Sequence, residues 1–180
     1  MLPRKARLPT ILLMTDERLG EALWAALDCL PRGAGVVFRH YGLPPAERRT
    51  LYERVRRLAR RRRLTLILSA SPQQAAAWRA DGVHGRSRRR TSRPLLRSAP
   101  VHDRRELLAA SHADLRLVSP VFPTRSHPGA PALGPVRLGL LLGGDRGGIV
   151  ALGGMTPHRA RALRSLRITR WAAIDGLTRN

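Results

Sequence analysis

The sequence is poor in cysteine, lysine and aromatic residues, and it contains no long apolar run. Its single cysteine, Cys29, excludes an internal disulfide and a zinc site built from cysteines, and its place in an amphipathic segment predicts a packing role in the core. The lack of roughly 18 consecutive apolar residues excludes an ordinary transmembrane helix. Residues 1–7 lead into no uniform apolar segment, so we expect no signal peptide and a cytoplasmic location.

Acidic residues are scarce too, with 12 against 34 basic residues and a formal net charge of +22. Such an excess is typical of nucleic-acid-binding proteins, because clustered cations neutralise phosphates. However, Lys5 is the only lysine, and this skew indicates a coding bias toward arginine as much as a selected surface. No basic and aromatic side chains interleave in the way that stacks bases. We therefore do not expect nucleic acid to be the main partner, nor a membrane.

Short apolar runs alternate with amphipathic segments along the 180 residues, a length that suits one domain. Continuous apolar strands separated by helices predict a parallel sheet covered by helices. Eight strands predict a compact α/β fold, a (β/α)8 barrel over residues 1–180, with the fourth helix reduced to an exposed loop and the last helix missing or truncated. The predicted strands are 8–15, 34–38, 64–68, 81–84, 94–98, 115–119, 149–152 and 171–174.

Helical periodicity separates most of these strands. Leu51, Val55 and Leu58 mark the inner face of a helix whose outer face is almost entirely arginine. Asp103 and Glu106 have the spacing of a capping box at the start of a later helix. The predicted helical segments are 19–30, 45–58, 73–80, 103–111, 138–142 and 156–166, and the exposed loop is 85–93.

Glycine pairs or Asp-Gly follow two of the predicted strands. Gly153-Gly154 comes after the seventh strand and precedes a helix capped by Thr156, so backbone N–H groups and the helix dipole point at one place. Asp175-Gly176 adds a second group of amides after the eighth strand. Because barrels bind ligands at the carboxyl ends of their strands, often with phosphate after the last two, we expect a phosphate site here. The alternative is that both glycine sites are only tight turns.

The segment after the sixth strand, residues 118–130, combines prolines with polar side chains. Thr124, Ser126 and His127 lie within four residues, beside prolines that stiffen the loop. The hydroxyl groups are suited to binding a substrate, and His127 is suited to moving a proton near neutral pH. The alternative is a rigid surface loop with solvated side chains.

Other polar residues end predicted strands and would face the same mouth. Arg39, at the end of the second strand, has the planar fork that binds phosphate or pyrophosphate, although it reads equally well as a surface arginine. His84 and Ser98 end the fourth and fifth strands, and each alone is typical of a structural polar residue. No carboxylate pair ends the strands, because Asp81 lies at the beginning of its strand and Asp16 caps a helix, so a metal site lacks obvious ligands. Three histidines fall in helices or caps and receive no role: His102, His112 and His158.

The motifs SPVFPTRSHPGA, ALGGMTP, DGVH and VVFR together resemble the thiamine phosphate synthase and thiazole tautomerase superfamily, over roughly residues 11–176. The resemblance implies a (β/α)8 barrel that joins a hydroxymethylpyrimidine pyrophosphate to a thiazole phosphate, with Mg²⁺, and releases pyrophosphate. The implied partners are these small phosphorylated precursors, and a homo-oligomer is left open.

The resemblance also implies roles for individual residues. It assigns pyrophosphate binding to Arg39 and Ser98, and it leaves the catalytic group unassigned. It assigns thiazole-phosphate binding to Thr124, Ser126, Gly153, Gly154, Ile174, Asp175 and Gly176. Possible auxiliary residues are His127, His84 and Arg86.

The sequence departs from the family pattern in the pyrophosphate and magnesium half of that site. Tyr41 replaces a lysine, and Ser69-Ala70 replaces an Asn-Asp pair. Beyond His84, where the family supplies a glutamine and a second aspartate, this sequence has Gly85-Arg86-Ser87-Arg88. A second family lysine is missing around residues 126–127, and Pro120 replaces the histidine of the tautomerase branch.

Two interpretations of these departures stay open. In one, the arginines of residues 86–93 neutralise pyrophosphate in place of Mg²⁺. In the other, the protein binds thiazole phosphate or regulates without synthesising. Less expected alternatives are a tautomerase-like or a nucleic-acid-binding protein.

Overall fold

A computed structural model describes residues 8–124, 129 and 131–177. Eight parallel strands close into a barrel in sequence order, with Leu12 of the first strand paired to Ala172 of the last. The predicted (β/α)8 fold is therefore confirmed. The strands are β1 (Ile11–Met14), β2 (Gly35–Phe38), β3 (Thr65–Ser69), β4 (Gly82–His84), β5 (Leu96–Val101), β6 (Leu115–Val118), β7 (Ile149–Ala151) and β8 (Arg170–Ala173).

Helices cover the outside of the barrel. They are α1 (Ala22–Cys29), α2 (Pro45–Arg62), α3 (Pro72–Ala77), α4 (Arg104–Ala109), α5 (Gly134–Leu142) and α6 (Pro157–Ala162), with 3-10 turns at Glu17–Leu19, Leu163–Leu166 and Asp175–Leu177. Residues 85–93, all of them described, form an irregular and mostly exposed segment in place of a fourth helix, as predicted. Within the described ranges, no helix combines the length and hydropathy that crossing a bilayer requires.

Strand alternation separates the interior of the barrel from the layer under the helices. The interior is filled by apolar side chains from most of the strands, among them Leu12, Val37, Ile67, Leu117 and Val150. The intervening strand residues pack outward against the inner faces of the helices, in two clusters on opposite sides of the barrel. The interior is therefore solid, and a ligand has access only to the rim.

Two predictions about local structure were wrong. The fifth strand runs from Leu96 to Val101 and not over 94–98, because Pro100 continues the pairing with β6 instead of ending it. Ser98 consequently lies within the strand, and the strand ends next to His102. Cys29 is exposed, because it lies two residues, or about 200° around the helix, beyond the buried Leu27.

The outer face of α2 carries arginines that lack acidic partners among the described residues. Arg57, Arg60 and Arg61 form no ion pair there, and Arg54 lies over the ring of Trp24 at 4.5 Å. Such a face is destabilised by repulsion between like charges at helical spacing.

Raising the ionic strength from about 0.05 M to about 0.5 M should therefore raise the Tm, because salt screens this repulsion. Arg57→Glu, which gives Arg61 an acidic neighbour one turn earlier, should stabilise the protein by about 0.3–0.5 kcal/mol at low salt. Arg57→Gln is the matched control that removes charge alone. A Tm that falls with salt would contradict the prediction.

Candidate functional site

A cavity of about 580 Å³ opens at the carboxyl ends of the strands. Its walls come from the ends of β1 and β2 and from the segments that follow β5, β6, β7 and β8. The cavity brings together these predicted site residues: Arg39, Thr124, Gly153, Gly154, Ile174, Asp175 and Gly176. Ser126 and His127 lie outside the described residues.

Close backbone packing joins the loops that follow β6, β7 and β8. A Cβ atom on Gly154 would overlap the carbonyl oxygen of Pro123, and one on Gly153 would lie 2.8 Å from Cα of Pro120. A Cβ atom on Gly176 would overlap the carbonyl oxygen of Met155 in the same way. Packing thus requires these glycines, and their presence alone is no evidence for an anion. Anion binding would therefore depend on the charged side chains around the cavity.

The helix after β7 is shorter than its predicted range. The hydroxyl of Thr156 accepts a hydrogen bond from the backbone N–H of Arg159 at 3.3 Å, which confirms the predicted cap. However, α6 has six residues and passes into a 3-10 turn, so its dipole contributes little. Side-chain cations therefore matter more at this rim than the helix does.

Arg39 lies at the rim, where a carboxylate already holds it. Its Nη2 donates to Oδ2 of Asp16 at 2.8 Å, and its Nε donates to the carbonyl oxygen of Thr15 at 2.8 Å. The pKa of Asp16 is lowered by its hydrogen bonds with Arg18, against the effect of burial, and further by the charge of Arg39. Asp16 therefore does more than the predicted helix capping, because it also neutralises Arg39.

His84 and Ser98 are buried together inside the barrel, and neither of them lines the cavity. Nδ1 of His84 lies 2.9 Å from Oγ of Ser98. Desolvation by burial lowers the pKa of His84 to about 4, so its ring is neutral at pH 7. Each of the two side chains serves as a hydrogen-bond partner for the other. This arrangement fits the structural role that the sequence suggested for both residues. Arg86 lies on the outside, where Nη2 pairs with Oε1 of Glu106 at 2.5 Å.

Two residues of the cavity were missed by sequence reasoning. His102 lines it, and its Nδ1 lies 2.8 Å from Oε2 of Glu106. The predicted place of His102 at a helix cap is correct, because it directly precedes the N-cap Asp103 and its backbone N–H donates to Oε2 of Glu106 at 2.9 Å. Its position at the end of β5, next to the cavity, was not predicted. Arg159 also lines the cavity, and its guanidinium carbon lies 4.9 Å from the ring centre of Phe122. In a chain with 34 basic residues, no sequence signal separates it from the others.

The ends of β2 and β3 are closed by side chains. The hydroxyl of Tyr41 is hydrogen-bonded to that of Ser69, and Nη2 of Arg48 donates to the carbonyl oxygens of Arg39 and Ser69 at 2.8 and 2.9 Å. Ala70, which follows this network directly along the chain, supplies no ligand for a cation.

Candidate ligands for a resident Mg²⁺ ion are scarce among the described residues. No group of three or more histidine, cysteine, aspartate or glutamate side chains in that part of the chain is placed to hold a metal. Mg²⁺ takes oxygen ligands and is usually held by one or two carboxylates together with waters and substrate phosphates, and Asp175 is the carboxylate among the described residues that line the cavity.

Fold and rim together define a (β/α)8 barrel with a basic, glycine-lined mouth. A family model described as thiamine monophosphate synthase matches residues 11–177, and the chain belongs to that family. No curated protein matches the chain with statistical significance.

Solved structures share the fold. Thiamine phosphate pyrophosphorylase from Pyrococcus furiosus is 23% identical, with a TM-score of 0.73 over 92% of this chain and 85% of that one. Thiamine phosphate pyrophosphorylase from Bacteroides thetaiotaomicron is 15% identical, with a TM-score of 0.62 over 94% of this chain and 84% of that one.

Proposed function

We propose that this protein is a cytoplasmic, thiamine phosphate synthase-like transferase. It would join a hydroxymethylpyrimidine pyrophosphate to a thiazole phosphate and release pyrophosphate. The observation that carries the proposal is the single cavity formed by the loops after β6, β7 and β8. Three loop positions that the family resemblance assigns to thiazole phosphate, Thr124, Gly154 and Gly176, line it together.

In this reaction the nitrogen of the thiazole attacks the methylene carbon of the pyrimidine. A C–N bond forms, the C–O bond to pyrophosphate breaks, and pyrophosphate leaves with the electron pair. The protein's part is to position the two substrates and to stabilise the leaving charge. The hydroxyl of Thr124 and the rim arginines are suited to these two tasks. No step is assigned to Mg²⁺.

A second candidate function is phosphate binding without synthesis, in a regulatory or otherwise inactive homologue. Two specific observations favour it. The carboxylates that the family resemblance implies are missing at Ala70 and within residues 85–88, and Arg39 is already engaged by Asp16. Both features weaken the half of the site that would hold pyrophosphate.

A coupling assay with both precursors, run with Mg²⁺ and with EDTA, separates the two functions. Calorimetry with the thiazole phosphate alone should accompany it. Thr124→Ala should weaken thiazole-phosphate binding by about tenfold, since a hydrogen bond to a charged group contributes about 1.5–3 kcal/mol. Thr50→Ala, on the exposed face of α2, is the matched control.

The outcomes are distinct. Product formation supports the transferase, and thiazole-phosphate binding without product supports the second function. The absence of both product and binding would contradict both.

A further inference from the structure

The two arginines that line the cavity differ in whether a carboxylate already neutralises their charge. Arg39 and Arg159 both line it, but Arg39 forms an ion pair with Asp16 at 2.8 Å. No carboxylate in residues 8–124, 129 and 131–177 forms an ion pair with Arg159. Asp175 lines the same cavity and adds negative charge there. An anion that enters this space therefore needs a cation whose charge is not already neutralised.

Contacts with neutral groups hold Arg159 in place at the rim. Its guanidinium lies over the ring of Phe122 at 4.9 Å, and Nη1 donates to the carbonyl oxygen of Gly154. The backbone N–H of Phe122 donates to the carbonyl oxygen of Gly153 at 3.1 Å, so the same loop contact fixes the ring and the glycines.

Neither contact neutralises the guanidinium. A guanidinium has five N–H donors, and Arg159 uses one of them in its bond to Gly154. The remaining donors and the full charge stay available beside the glycine loop. This is the geometry of a half-buried arginine that is fixed in place before an anion arrives.

We propose that Arg159 is the residue that binds the phosphate group in this cavity, and that it makes phosphate binding independent of a divalent cation. The inference rests on the proposed function in naming a phosphorylated thiazole as the ligand. It assigns the main electrostatic contribution to a residue that the family resemblance does not mark, and only a minor one to Arg39.

The second part follows from the scarcity of acidic ligands in the cavity. Asp175 is the one carboxylate among the described residues that line it, and no group of three or more metal-ligating side chains is present in that part of the chain, so a divalent cation has few protein ligands through which to bridge a phosphate. A fixed guanidinium supplies both charge and directed hydrogen bonds to phosphate oxygens without a metal.

The test is calorimetry with the thiazole phosphate and, separately, with inorganic phosphate, in EDTA and with Mg²⁺. Arg159→Gln should weaken binding by roughly tenfold or more, because a charge-assisted hydrogen bond is lost. Arg159→Lys should recover part of the affinity, because it keeps the charge without the fork. Arg39→Gln should weaken binding by less than about threefold, since that charge is already paired.

Arg161→Gln is the control on the same helix, where the side chain is exposed. Circular dichroism of each variant checks folding. Unchanged affinity in a folded Arg159→Gln variant would overturn the inference, as would affinity that disappears in EDTA.

Failure of the proposed function gives a different pattern. If the parent chain binds inorganic phosphate through Arg159 but not the thiazole phosphate, the role of Arg159 stands and the thiamine function falls. If the parent chain binds neither ligand, both fall.

Discussion

Lowering the pH from about 7 to about 4 should destabilise the folded protein by about 3 kcal/mol through His84 alone. Burial lowers the pKa of this ring from 6.5 to about 4, so the folded state binds its proton less readily than the unfolded chain does. The contribution to stability is complete above the unfolded pKa of 6.5. It is lost progressively as the pH falls from there toward 4.

Chemical unfolding followed at a series of pH values measures this effect. His84→Gln keeps an amide that can hydrogen-bond to Ser98 but does not titrate, so its stability should depend less on pH over that range. Burial also lowers the pKa of His40, which makes the difference between parent and variant the informative quantity. Parallel pH profiles for the two proteins would show that His84 is not the titrating group.

Gly154→Ala should weaken phosphate binding and destabilise the fold by about 1–3 kcal/mol. Gly154 has φ +59°, a left-handed conformation that is unfavourable for alanine, and the added Cβ atom would overlap the carbonyl oxygen of Pro123. Relief of this overlap must separate the loops after β6 and β7. The proposed phosphate position lies between the same loops, so affinity should fall by roughly tenfold or more.

Gly148→Ala is the matched control at the opposite end of β7. Gly148 has φ +64°, and its added Cβ atom would overlap the carbonyl oxygen of Asp114, so the backbone strain is similar. The control should lower the Tm by a comparable amount and keep the affinity for phosphate. Equal losses of affinity in both variants would mean that general destabilisation, and not the rim, explains the effect.

The fold was predictable because its signals are local and repeated. Each strand is a short apolar run, each helix presents one apolar face, and eight repeats are the number that closes a barrel. The capping residues Asp103 and Thr156 were also predictable, since a cap depends only on residues within one turn. Cys29 was predicted to be buried because it lies near the boundary of an apolar helix face, where periodicity discriminates poorly.

The site was predictable only where position in the barrel decides it. Loops after neighbouring strands converge in any such barrel, which brings Thr124, Gly154 and Gly176 into one cavity. The sequence could not show whether Arg39 or Arg159 contributes more to anion binding. The two differ in whether a carboxylate from a distant part of the chain forms an ion pair with them. The sequence around Asp16 predicts a helix cap equally well whether or not its side chain also pairs with Arg39, 23 residues away.

The Asp16 carboxylate competes with any anionic ligand for Arg39, because it already forms an ion pair with that guanidinium. A phosphorylated ligand must displace the Asp16 carboxylate in order to bind Arg39. The free energy gained is therefore the difference between two similar electrostatic attractions. A monoanion gains little by such an exchange, whereas a polyanion with several oxygens gains more. Asp16 therefore favours ligands of higher charge at this side of the rim. Protonation of its carboxylate in acid would remove the competition, so that ligands of lower charge would also bind Arg39.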